Sequence, residues 1–219
     1  MQADFDIVGN VDPAQANAEL CNVISSTLSD CGLNKDQFTI NVSNRKIVQG
    51  LINELKISEE KQIKVIRAID KLDKPGFGLK GVEDLLKKER KDQSGAITKG
   101  ADLTDQQAAQ ILNFLKIKDL KELKQTLNNQ LSQEGISELE NVFEILGYGS
   151  NLNQVKTNFT IVRGLAYYSD FIVETNLNFK VTNNKGKEID IGSICSGGAY
   201  AKLISRFRGV DIPGTGISF

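Results

Sequence analysis

The 219-residue chain contains no histidine. That absence removes Ser-His-Asp and Cys-His nucleophiles, imidazole metal ligands and imidazole acid–base steps. Any acid, base or electrophile must therefore be Asp, Glu, Lys, Arg, Tyr or Cys. Cysteine is scarce: Cys21, Cys31 and Cys195 are odd in number and form no C-x-x-C, which points to small reduced thiols rather than a disulfide framework. Met1-Gln-Ala-Asp-Phe-Asp6 has neither the basic nor the apolar stretch of a secretory leader. The longest uncharged apolar run falls far short of the ~18 residues that span a bilayer. These absences predict a soluble, cytoplasmic chain with no membrane contact. A charge excess of either sign is missing as well, with 27 Lys+Arg against 28 Asp+Glu. This excludes strong global attraction to nucleic acid, though not a local basic face.

What remains is an ordinary mixture, 40% apolar and 25% charged, long enough for one medium domain or a domain carrying an insertion. Its texture changes twice. Residues 1–55 hold 3 basic and 7 acidic residues. They read as a strand over 5–8, a Gly9-Asn10 turn, and a helix capped by Asp12, with Pro13 at its first position and Gly32 as its stop. A strand over 38–42 and a second helix capped by Ser43 or Asn44 follow. Residues 56–130 hold 16 basic and 12 acidic residues, and apolar spacing predicts helices over 59–72, 79–90, 104–116 and 118–129. Residues 131–219 begin with an acidic helix over 136–146, ended by Gly147, and then become strand-rich. Strands are expected over 159–162, 171–179, 189–195 and from Gly214, with a hairpin turn at Asn183-Asn-Lys-Gly186 and a short helix over 200–207. The expected fold class is α+β, a sheet with flanking helices interrupted by an all-helical insertion.

Three segments invite chemistry. Gly197-Gly198 and Gly214-Thr-Gly216 match neither G-x-x-x-x-G-K-[ST] nor G-x-G-x-x-G, so turns or close packing within strands compete with a phosphate cradle. Lys87-Lys-Glu-Arg-Lys91 is either a loose phosphate-contacting face or a solvated helix surface diluted by Glu83, Asp84 and Asp92. Val162-Arg-Gly-Leu-Ala-Tyr-Tyr168 sets an arginine in an apolar strand context, where a guanidinium needs a partner. Arg163 offers a rigid donor fork for a phosphate or carboxylate, or it is a structural arginine paired with an acid. If the segment is extended, Tyr167 and Tyr168 face opposite ways, one to a pocket and one to packing.

Arg163-Gly-Leu-x-Tyr-Tyr168 resembles a signature of histidyl-tRNA synthetases, and Ser196-Gly-Gly-x-Tyr-x-Lys-Leu203 resembles their second signature, Gly-Gly-Arg-Tyr-Asp. Gln2-Ala-Asp-Phe-Asp-Ile-Val-Gly9 is similar to the distal strand of class II motif 2. Val42-Ser-Asn-Arg-Lys-Ile47 is similar to the family's V-N-N-R-K-I segment. Arg206-Phe-Arg-Gly through Thr215-Gly-Ile-Ser-Phe219 resembles the entry into motif 3. The resemblance runs nearly end to end and is weakest in the helical insert.

It implies an antiparallel class II synthetase sheet. Residues 1–55 would be the first part of the catalytic core from the end of motif 2, 56–130 a helical insertion, and 131–219 the second part of the core. The implied reaction joins L-histidine and ATP to histidyl-adenylate and then moves the histidyl group to tRNA(His). Mg²⁺ would accompany ATP rather than sit in a protein cage, with no tightly bound cofactor and no protein metal site. Carried over by position, Arg163 matches the arginine acting on the α-phosphate. Asp6 matches the acid that accepts from the α-ammonium, and Gln2 a residue near the amino acid and adenylate. Tyr167 and Tyr168 match the imidazole pocket. The family is homodimeric. Ala166, Ala199 and Ala201 replace polar residues of the two signatures, and Ser169-Asp170 replaces Thr-Gly. Motif 1, the motif 2 and motif 3 arginines and an anticodon-binding domain have no counterpart here, so the expectation is an internal core fragment that does not activate histidine alone. The rival readings are a non-catalytic relative, the regulatory subunit of ATP phosphoribosyltransferase, against which Arg163 argues, and a helix-rich binding module.

Overall fold

The computed structural model describes residues 2–74, 76–91, 97–149, 153–162, 168–189, 191–200, 209 and 212–219. They divide into two compact units: Met1–Arg45 with Gly135–Phe219, and Lys46–Glu134.

In the first unit, local chemistry sets the first helix at both ends. Asp12 Oδ1 accepts from Gln15 N–H at 2.9 Å and Pro13 occupies the first turn of α1 (Pro13–Asp30), where its missing N–H costs nothing. At the other end Gly32 takes φ +92°, Leu33 N–H donates to the Leu28 carbonyl and Gly32 N–H to that of Ser29. This is a glycine-terminated Schellman cap. Around this helix is a six-stranded sheet built from β1 (Asp4–Val8), β2 (Phe38–Asn44), β5 (Val155–Thr157), β6 (Phe171–Leu177), β9 (Ser193–Ala199) and β10 (Gly214–Ser218), in the order β1-β10-β9-β6-β2-β5. Every pairing is antiparallel except β2–β5. α1 lies against β2, β9 and β10. The Asn183–Gly186 turn closes a small hairpin, β7 (Val181–Thr182) with β8 (Glu188–Ile189), with Gly186 N–H donating to Asn183 O and φ +73° at Gly186.

Strand alternation gives the sheet two chemically different faces. In register across five strands stand Val42, Val173, Gly197, Ile217 and Phe5 on one face. One residue along, Asn41, Glu174, Ser196, Ser218 and Asp4 stand on the other. A side-chain period of two makes this inversion automatic. The apolar face joins Leu20, Ile24 and Leu28 of α1 in a core that also holds Phe38, Ile40 and Phe171.

The second unit is built from α2 (Arg45–Glu54, of which Lys46 onward belongs here), α3 (Glu59–Ile69), α4 (Gly78–Lys87), α5 (Asp105–Phe114) and α6 (Leu120–Thr126). A two-residue ladder, β3 (Arg90–Lys91) with β4 (Ile97–Thr98), accompanies these helices. Ile47, Val65, Val82, Leu86, Ile111 and Leu123 are fully buried. Thr104 and Gln107 form a reciprocal capping box on α5, satisfying two otherwise open donors.

Several sequence expectations shift; the single strand expected over 189–195 is divided between β8 and β9, which belong to different sheets. The strand over 159–162 does not form. Residues 159–160 lie in a turn, where Thr160 N–H and Oγ1 both donate to Asn158 Oδ1 at 3.1 and 2.6 Å. The apolar residues Phe159, Ile161 and Val162 are buried all the same, so their pattern reports burial rather than pairing. The helix expected over 136–146 is α7 (Gln130–Gly149). It begins earlier because Asn129 Oδ1 accepts from Ser132 N–H at 2.8 Å, and it runs through Gly147. Asn44 ends β2 opposite Phe171, and its amide donates to Glu138 Oε2 at 2.7 Å. The helix expected over 200–207 lies outside the described residues except at Tyr200. Among the described residues no helix is long and apolar enough to cross a membrane.

The thiols divide by burial. Cys21 and Cys195 are 0% and 2% exposed, and burial pushes both thiols up to about 12, whereas Cys31 is exposed. Thiolate is the reactive form. An aromatic disulfide reagent at pH 8 is therefore expected to titrate one thiol rapidly in the native protein and all three only in denaturant. Rapid release of all three without denaturant would contradict the described packing.

Candidate active site on the polar face of the sheet

Gln2, Asp4 and Asp6 recur every second residue, so all three project from the polar side of the β1 strand and its approach. Next to Asp6 the side chains vanish. Asp6 pairs with Gly216, which pairs with Gly198. A Cβ on Gly216 would fall 2.0 Å from Asp6 Oδ1, and one on Gly198 would fall 2.4 Å from the Phe171 carbonyl oxygen. The glycines of both segments thus lie in strands at close backbone approach, not in a phosphate-cradling loop. They leave a bare trough beside a carboxylate.

Two hydroxyl-bearing residues complete the described polar contacts. Tyr200 follows β9, its N–H donating to the Gly214 carbonyl at 2.7 Å, and its phenol donates to Asp6 Oδ1 at 2.5 Å. Burial, and then the hydrogen bond to Asp6, push the Tyr200 phenol above its ordinary range, so it stays a donor at neutral pH. Ser218 stands opposite Asp4, and Gln2 Nε2 reaches Asp4 Oδ1 at 3.0 Å and Ser218 Oγ at 3.1 Å.

Of the five residues singled out in the sequence, Gln2 and Asp6 share the polar face. Tyr168 is half-buried. Its carbonyl accepts from the Arg45 guanidinium at 2.5 Å, and the next residue, Ser169, donates its N–H to the Ala199 carbonyl at 2.8 Å. Tyr168 is thereby tied to the same strand end that carries Tyr200. Arg163 and Tyr167 lie outside the described residues. Arg45, from the V-S-N-R-K-I segment, is partly buried; burial pulls its guanidinium down while Asp170 opposes the shift. The Arg45 backbone N–H donates to the Asp170 carbonyl at 2.8 Å, so Arg45 clamps the chain on both sides of Ser169.

Motif reading passes over Asp4 and Ser218, and it sees Tyr200 only as part of a signature. The period-two spacing of Gln2, Asp4 and Asp6 is the signal that would have found Asp4. Ser218 needs the β1–β10 register. In the second unit, Lys87 pairs with Asp105 at 2.8 Å and Glu83 at 3.0 Å, so the head of the basic run is engaged in ion pairs. Among the described residues no group of three or more His, Cys, Asp or Glu could hold a metal ion.

The face has company among known proteins. A family model described as histidyl-tRNA synthetase matches residues 1–219. A histidine–tRNA ligase of Pelagibacter ubique is 76% identical over 219 residues, which is 100% of this chain and 47% of that protein. The chain spans about half the length of the curated relatives it matches. The crystal structure of histidyl-tRNA synthetase from a Nostoc species aligns with a TM-score of 0.78 at 30% identity, covering 100% of this chain and 48% of that one. A structure described as an ATP phosphoribosyltransferase regulatory subunit/histidyl-tRNA synthetase from Bacillus halodurans shares the fold, with a TM-score of 0.74 at 18% identity over 99% of this chain and 50% of that one.

Proposed function

Because the chain belongs to the histidyl-tRNA synthetase family, we propose that it forms part of the catalytic core of a cytoplasmic histidine–tRNA ligase, with the polar face of the sheet as its amino-acid site. The observation that carries this reading is the juxtaposition of Asp6 with the glycine trough. The carboxylate oxygen that borders the trough, Oδ1, is fixed by the Tyr200 phenol, and the other is left as an acceptor for a ligand.

An amino-acid ammonium is the natural donor to such a group, since hydrogen bonds between charged partners are about twice as strong as neutral ones. On this reading Gln2 lies near the amino acid and its adenylate, and Tyr167 and Tyr168 flank the imidazole. Arg163 stabilises charge on the α-phosphate of an ATP that brings its own Mg²⁺. Residues 56–130 are an insertion in the core. tRNA(His) is the acceptor, and the active assembly is a homodimer.

The alanines at 166, 199 and 201 favour a second reading, a histidine-sensing regulatory subunit; Arg163, the phosphate-activating residue, favours the ligase. Titration calorimetry separates them. Binding of both L-histidine and ATP is expected. Histidine without ATP would identify the regulatory protein, and neither ligand would leave a binding module.

A further inference from the structure

We propose that Asp4 and Ser218 are positioning residues that lock the Gln2 side-chain amide with its carbonyl oxygen turned outward, so that position 2 presents an acceptor, not a donor, to an N–H group of a bound amino acid. This rests on the reading of the polar face as an amino-acid site.

The geometry is a closed ring. Gln2 Nε2 lies 3.0 and 3.4 Å from the two carboxylate oxygens of Asp4 and 3.1 Å from Ser218 Oγ. Asp4 and Ser218 are directly opposed in the β1–β10 ladder, which is pinned at this end by Phe219 N–H donating to the Ala3 carbonyl at 2.9 Å. A carboxylate only accepts, whereas an amide nitrogen carries two hydrogens. One goes to Asp4 and the other to the serine oxygen. The hydrogen bonds from Ser218 and then Gln2 hold the Asp4 carboxyl below the ordinary carboxylate range.

With both amide hydrogens spent, Oε1 is what Gln2 has left for a ligand. Rotating the amide by half a turn would lose both bonds and set Oε1 against a carboxylate, a repulsive contact. An unrestrained glutamine could meet either donors or acceptors. This one is committed to donors, and so discriminates for an amine over an anion of the same shape.

The test begins on the free chain. Hydrogen exchange of the Gln2 side-chain amide, followed by ¹⁵N NMR, is expected to be slowed roughly fivefold relative to exposed Gln106, as suits a solvent-exposed hydrogen bond of ordinary net strength. Asp4→Ala and Ser218→Ala, each removing one of its two acceptors, should each bring it part of the way to the Gln106 rate with the unfolding midpoint unchanged. A Gln2 amide that exchanges like Gln106 in the unsubstituted chain, or slowing that persists undiminished in both variants, overturns the proposal.

The second arm compares L-histidine with imidazolepropionate, which lacks the amine. Asp4→Ala should cut the preference for histidine by roughly tenfold. A preference retained in full overturns the ligand-directing role. No histidine binding by the unsubstituted chain overturns the amino-acid reading and the directing role together, while the exchange measurement still decides the amide lock.

Discussion

Gly197→Ala is expected to destabilise the first unit by about 3 kcal/mol, the upper part of the range for overpacked cores, read as a lowered urea midpoint with a nearly unchanged slope. The added methyl would stand 2.0 Å from the Gly216 carbonyl oxygen and 2.7 Å from both Cα and Cγ2 of Ile217. Two of those three atoms are backbone of β10, so no side-chain rotation relieves the clash. β10 itself must move away from β9, and it carries β1 on its far side. The expected loss is a large share of the ~5–15 kcal/mol that holds a typical domain together. Gly186→Ala is the informative contrast. Nothing lies within 4 Å of the added methyl there, and only the positive φ of +73° is unfavourable, which costs about 1 kcal/mol. Equal losses at the two sites would show that backbone conformation, not interstrand contact, selects glycine at 197.

Asp6→Asn is expected to weaken L-histidine binding by about 1.5–3 kcal/mol, roughly 10- to 100-fold in Kd. Its thermal midpoint should scarcely move. The side chain is exposed, and asparagine Oδ1 can still accept from the Tyr200 phenol that now donates at 2.5 Å. What disappears is the negative charge on the free oxygen, so the loss should appear in affinity and not in stability. Calorimetry on both forms decides the matter, and an unchanged Kd would remove Asp6 from the site.

The parts of this fold that could be read in the sequence are those set by near neighbours. Asp12-Pro13 and Gly32 delimit α1 through contacts within five residues. The hairpin turn at 183–186 rests on Gly186 and on the Asn183 side chain, which accepts from the N–H groups of Lys185 and Lys187, and the helices of the second unit follow apolar spacing. What escaped was non-local. Val155–Thr157 is a strand because β2, more than a hundred residues earlier, offers it an edge, and Phe159–Val162 is apolar because it is buried. In the site, Gln2 and Asp6 could be named by resemblance. Ser218 became visible only when the register set it opposite Asp4, and the glycines of the two signatures took their meaning from each other across β9 and β10.

That same register has a temporal consequence. The pairing of β1 with β10 joins residues 4–8 to residues 214–218, and closing so long a loop is slow compared with forming helices or hairpins. During synthesis, Gln2, Asp4 and Asp6 emerge more than two hundred residues ahead of β10, the strand that secures them. The strand that carries the proposed ligand contacts is therefore secured long after it is made, and a growing chain holds this part of the site's chemistry well before it holds the shape.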